Sequence, residues 1–132
     1  MGDVMRTAIL IMSLALVSGD AAANWDKVSN RGFETTYVDT NTTQRMGEVV
    51  QMWDLGDFEK LQTLPNNKQY LSRKSNWEYD CGSTLARRRE ISWYSGRMGA
   101  GEVVHSEVGV FGWHQVASGT QMKSLWRIAC GK

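Results

Sequence analysis

The chain is poor in the residues that most often carry chemistry. Its 132 residues include two histidines and two cysteines. His105 and His114 fall in no HExxH spacing, and Cys81 and Cys130 form no CxxC, so no metal-ligand set gathers in the sequence. There is no GxSxG, and a nucleophilic Ser or Cys would need a positioned base. Asp54/Asp57 and Glu78/Asp80 are candidate carboxylate pairs of a commonplace kind, and for Glu78 and Asp80, which share a strand face, exposure to water is explanation enough. These shortages argue against an enzyme, a cofactor and a bound metal. The single proline, Pro65, sits in the turn-rich stretch Leu64-Pro65-Asn66-Asn67. A formal charge of +1 gives no sign of a nucleic-acid or anionic-membrane partner. No apolar run approaches the roughly 20 residues of a membrane-spanning helix.

One shorter apolar run is present, Ala8 to Val17, with Arg6 before it and Ser-Gly-Asp-Ala-Ala-Ala after it. A basic start, a short apolar centre and a small-residue A-x-A site make a secretory leader. The expected cleavage follows Ala23, dividing the chain into a leader, 1–23, and one mature domain, 24–132. Asp3 is out of place in such a leader, and Met5-Arg6 makes a better start than Met1. Losing Asp3, Arg6 and Asp20 changes the formal charge from +1 to +2. No cysteine lies near the cleavage site, so the expectation is an exported protein without a lipid anchor, periplasmic or secreted. Export places Cys81 and Cys130 in an oxidising compartment, where they can bond; two free buried thiols are the alternative. A bond closing a loop of about 50 residues would restrict the unfolded chain by roughly 4 kcal/mol.

The mature chain reads as strands followed by one helix, an α+β protein that is mainly β. Phe33–Asp39 is rich in aromatic and β-branched residues, and the polar Thr40–Thr43 is expected to end that strand. Arg45–Leu55 carries apolar residues on both faces, followed by a turn-rich interval from Gly56 to Asn67. In Tyr70–Cys81 the alternation breaks at Ser75-Asn76, which predicts a β-bulge there. Beyond the break Trp77, Tyr79 and Cys81 share one face. Thr84–Tyr94 and Glu102–Val110 complete an antiparallel sheet of about six strands. Ser118 and Gln121 have the spacing of a capping box. Met122, Leu125, Trp126, Ala129 and Cys130 then recur at helical steps, and Gly131 is placed to end the helix.

The strongest charge cluster is Arg87-Arg88-Arg89. A strand divides it, with Arg87 and Arg89 on one face and Arg88 on the other. With Arg73 and Lys74 it could form a basic surface for an acidic partner or a glycosaminoglycan, or answer Glu78, Asp80 and Glu90 as ion pairs. Six tryptophans are many for this length. Trp77 and Trp126 suit a position between sheet and helix. Trp25, Trp53, Trp93 and Trp113 leave candidates for a homodimer contact or a ligand surface.

Taken together, Tyr70-Leu71-Ser72-Arg73-Lys74, Trp77-Glu78-Tyr79-Asp80-Cys81, Arg87-Arg88-Arg89, Tyr94 and Gly101-Glu102-Val103-Val104 resemble the bacterial surface-adhesin protein E family. Trp113-His114-Gln115-Val116 and the closing helix, Trp126-Arg127-Ile128-Ala129-Cys130, extend the likeness over most of residues 24–132. The resemblance implies an antiparallel sheet whose C-terminal helix is tied to the concave face by a Cys81–Cys130 disulfide. For function it implies a non-enzymatic binding module for host extracellular-matrix or serum proteins, since the type member is an outer-membrane lipoprotein that dimerises and binds vitronectin, laminin and plasminogen. A second reading is a periplasmic small-molecule or lipid-binding protein that uses the space between sheet and helix.

Overall fold

Alternating side chains on five long segments leave little choice but a sheet, and a computed structural model shows it. The described residues are 24–132; the leader expected over residues 1–23 lies outside them. The strands are β1 (Asp26–Asn30), β2 (Glu34–Met46), β3 (Val49–Thr63), β4 (Gln69–Asp80), β5 (Leu85–Tyr94), β6 (Val103–Val108) and β7 (His114–Gln115), followed by the helix α1 (Gln121–Cys130). Strands β1 to β6 pair antiparallel in chain order, and β7 pairs with the start of β5. The chain is thus an antiparallel meander with one closing helix.

The core lies where α1 covers one face of the sheet. Val38, Val50, Met52, Tyr79 and Ala86 of the strands meet Leu125, Trp126 and Cys130 of the helix, with Val116 and Cys81 closing the cluster. Each large apolar side chain buried there stabilises the fold by about 1.5–3 kcal/mol. Cys81 and Cys130 are disulfide-bonded, their Cα atoms 5.6 Å apart. Gly131 ends the helix as its position suggested, in the left-handed conformation at φ 67° that a residue without a Cβ adopts most easily.

Four local expectations are corrected. Thr40–Thr43 does not end β2, which continues to Met46 through an irregular register between Asp39 and Gln44. There Asp39 Oδ1 accepts from the Asn41 amide at 3.0 Å, so the carboxylate takes a backbone group that the ladder leaves over. Likewise Gly56–Lys60 is strand, not turn, because β3 runs on to Thr63. Gly56 serves a different purpose: a Cβ on it would lie 2.5 Å from Glu34 Oε1. Its bareness lets Glu34 and Arg73 pair at 3.1 Å across the strand.

The bulge is real but sits on the other strand. β3 and β4 pair without interruption from Val49↔Asp80 to Asp57↔Ser72. Asn76 faces Glu90 and Trp77 faces Arg88, so Arg89 is the extra residue and belongs to β5. The helix cap is Thr120 rather than Ser118: its hydroxyl accepts from the Lys123 amide at 3.2 Å. Gln121 instead reaches across to donate to the Thr36 hydroxyl, tying the first turn of α1 to β2.

On the face opposite α1 the short turn Arg97–Gly99 folds back over β3 and β4. Asp57 accepts from Arg97 Nη2 at 2.6 Å and from the Met98 amide at 2.8 Å. Ser72 donates to the Gly96 carbonyl at 2.6 Å and accepts from the Gly99 amide at 2.8 Å. Asp57 and Ser72 are buried beneath the turn with every polar atom engaged on a purpose, which fixes a loop that has little apolar surface of its own.

Candidate functional site

The five basic residues singled out from the sequence divide between the two faces of the sheet, and four of them are paired. Arg73 meets Glu34 at 3.1 Å. Glu78 accepts from both Arg87 and Arg89, at 2.8 and 2.9 Å, and the bulge is what brings both arginines to it. Arg88 meets Glu107 at 3.0 Å. Lys74 has no carboxylate within ion-pair distance among the described residues and lies between the rings of Tyr94 and Trp25, at 5.1 and 6.0 Å. Arg87 stacks over Trp113 at 4.3 Å and Arg88 over Phe111 at 4.8 Å. The arginines of β5 therefore build an interlocked edge of cations, rings and carboxylates with little uncompensated charge.

Uncompensated charge gathers elsewhere. A groove of about 450 Å³ runs between the β1–β2 connection and the exposed side of α1. Arg31, Lys123 and Arg127 border it, together with Ser29, Thr120 and Ser124. None of these three cations has a carboxylate within ion-pair distance among the described residues; Lys123 instead covers the Trp126 ring at 4.3 Å. Three like charges held beside hydroxyl groups, with no acid among the bordering residues, form a surface that favours an anionic partner. This groove was not expected from the sequence. Lys123 and Arg127 stand four residues apart on one helix face, which was a usable signal, but only the fold brings Arg31 to them.

The carboxylates of the two candidate pairs do not act together. Asp57 is taken by the Arg97 turn, whereas Asp54 lies on the helix-covered face beside Glu34 and Arg73. Burial pushes the Asp54 carboxyl up to about 7, against a smaller downward pull from Arg73 and an upward push from Glu34. Its Oδ2 is buried and has no hydrogen-bond partner among the described residues. Burial also raises the Tyr79 hydroxyl well above its ordinary value, with the Asp54 charge adding to the effect. Glu78 is occupied by arginines, and Asp80 accepts from the Gly82 amide. The histidines stand apart in the same way: His114 meets the Trp77 ring edge-on at 5.7 Å, and His105 lies over Trp93 at 5.4 Å.

Residues 25–131 match the family described as surface-adhesin protein E. The chain belongs to that family. No curated protein matches the sequence. Among solved structures, one of Haemophilus influenzae protein E is similar to the chain at a TM-score of 0.58 and 13% identity, covering 82% of this chain and 94% of that one. Crystal form II of the same protein gives a TM-score of 0.60 at 13% identity, covering 80% and 96%. Protein E from non-typeable Haemophilus influenzae gives 0.54 at 14% identity, covering 82% and 84%. At such identities the structural likeness concerns the fold.

Proposed function

We propose that this chain is an exported, non-enzymatic adhesin-like binding module that docks an acidic segment of a host extracellular-matrix or serum protein. Family membership supports a surface adhesin-like role and an exported or cell-surface location. The leader expected over residues 1–23, with cleavage after Ala23 and no lipid anchor, accords with export. The observation that carries the docking reading is the groove of Arg31, Lys123 and Arg127, three cations without carboxylate partners among the described residues. The basic residues Arg73, Lys74, Arg87, Arg88 and Arg89, four of them ion-paired and divided between the two faces of the sheet, are proposed as secondary docking positions. Their ion pairs give them a weaker claim on an anionic partner. The unpaired outer edge of β6, where Val108 is 82% exposed and Phe111 nearby is 47% exposed, offers a strand for a partner or for a second copy.

The test is binding of the disulfide-bonded protein to immobilised vitronectin and laminin at low and high salt. Binding should weaken steeply as salt rises, because exposed charges are screened beyond about 10 Å at 0.1 M. Lys123→Glu with Arg127→Glu should lower affinity by about tenfold or more. Lys74→Glu with Arg89→Glu should lower it less. Absence of binding at low salt, or indifference to both double variants, would overturn the reading.

A further inference from the structure

On the face of the sheet opposite α1, one row of paired residues crosses four strands: Asp39 of β2, Trp53 of β3, Asn76 of β4 and Glu90 of β5. Directly paired residues project to the same side of a sheet, so the row is continuous over about 14 Å. Lys74 and Ser92, paired with one another, begin the next row on that side. With Trp25 and Tyr94 these side chains border an open cleft of about 330 Å³. Trp53 and Glu90 also border a second cleft of about 260 Å³, on the side of Asn76 and Arg89, so the two clefts adjoin. Trp25, Trp53 and Tyr94 are each half-buried, whereas Trp93 and Trp126 are buried. Some of the polar groups already have partners: Asp39 accepts from the Asn41 amide, and Arg89 pairs with Glu78. The Glu90 carboxylate, the Lys74 ammonium and the Ser92 hydroxyl have no hydrogen-bond or ion-pair partner among the described residues. All three residues are half-buried, open to a ligand in the cleft.

We infer that this cleft binds a short uncharged oligosaccharide. One free acid and one free base cancel, so the site favours a ligand without net charge. A sugar ring has an apolar C–H face and a rim of hydroxyl groups. The C–H face packs on an indole, while the rim donates to Glu90 and accepts from Lys74 in charge-assisted hydrogen bonds. Other occupants fit less well. A lipid chain would bury Glu90 and Lys74 without partners, and an anion would meet the Glu90 charge. A cationic ligand would find the rings of Tyr94 and Trp25 already holding the Lys74 ammonium, at 5.1 and 6.0 Å. That ammonium is held in place, because the Lys74 stem runs against Gly99, in the turn that Asp57 and Ser72 anchor. The site is therefore formed before the ligand arrives, and the length of the row gives room for more than one sugar ring.

The experiment is an NMR titration of the ¹⁵N-labelled, disulfide-bonded protein with cellotriose and with N-acetylated chitotriose, read on the indole N–H signals of the six tryptophans. Saturable shifts concentrated at Trp25 and Trp53 are expected with at least one trisaccharide, at millimolar affinity or better. Glucose should bind at least about tenfold more weakly, since a single ring covers only part of the row. Trp25→Ala and Glu90→Gln should each lower trisaccharide affinity about tenfold with the remaining spectrum intact. Trp25→Leu replaces the first if Trp25→Ala does not fold. Lys123→Glu with Arg127→Glu, which tests the protein-docking groove, should leave trisaccharide affinity unchanged, so failure of one reading is distinguishable from failure of the other. Tetramethylammonium serves as the cationic rival. Shifts that fail to saturate or that centre on other tryptophans, tetramethylammonium binding as tightly as the trisaccharides, or unchanged affinity in both cleft variants would overturn the inference.

Discussion

The indole N–H of Trp126 donates to the carbonyl oxygen of Asp80 at 2.9 Å. One helical turn later Cys130 bonds Cys81, the residue after Asp80, so a covalent and a hydrogen-bonded anchor meet at one point on β4. Lys132 adds a third contact by donating to the Cys81 carbonyl at 3.1 Å. Cys130→Ser should therefore lower stability by about 2–5 kcal/mol in non-reducing urea unfolding. Trp126→Phe, which keeps most of the apolar area and removes the donor, should cost about 1–3 kcal/mol because the Asp80 carbonyl loses its partner. Wild-type stability in Cys130→Ser would show that the helix is held by packing alone.

The helix cap separates two hydroxyls two residues apart. Thr120→Ala should cost about 1 kcal/mol, since it frees the Lys123 amide. Ser118→Ala should be close to neutral. The reverse order in thermal unfolding would return the cap to Ser118.

Glu78 is buried and serves both Arg87 and Arg89. Glu78→Ala removes the buried carboxylate shared by two part-exposed arginines and should lower stability by about 1–2 kcal/mol. The same loss should appear as faster amide exchange on both sides of the bulge. An effect below about 0.5 kcal/mol, the range of ordinary surface changes, would mean the pairs act as exposed bridges.

Asp54 makes stability depend on pH in the direction opposite to that of a salt-bridged carboxylate. Its folded value of about 7 lies above the ordinary 3.8, so the folded protein holds this proton more tightly than the unfolded chain. The contribution is greatest below about pH 4, is lost as pH rises toward 7, and is constant above that. At about 1.4 kcal/mol per unit the full difference is about 4 kcal/mol. Asp54→Asn should therefore gain on the wild type between pH 4.5 and pH 8 when both are unfolded in urea. Parallel pH profiles would refute the assignment.

The parts of the fold legible in sequence were those whose pattern is local. Trp77, Tyr79 and Cys81 alternate, and Met122, Leu125 and Ala129 recur at helical steps, so β4 and α1 could be read directly. Thr40–Thr43 and Gly56–Lys60 were misread because their strand character comes from partners, Gln51 to Val49 for the end of β2 and Arg73 with Glu34 around Gly56. The bulge announced itself on β4 but was satisfied by Arg89 on β5, since a break of phase can be absorbed by either partner in a ladder. The basic residues of β5 were visible, but the carboxylates that occupy them were not. The cationic groove and the unpartnered oxygen of Asp54 depend on elements far apart in the chain, and no local pattern reports them.

The disulfide also decides how the domain carries load. A pull on Lys132 enters through Cys130 and passes by the sulfur bridge into Cys81 at the end of β4. The segment 82–129, which includes β5, β6, β7 and nearly all of α1, is bypassed and cannot be drawn out while the bridge is intact. Only the stretch before Cys81 can lengthen under tension between the two ends. For a protein proposed to dock a host partner, the cationic face of α1 and the β6 edge would thus lie on a portion of the chain that force does not unravel.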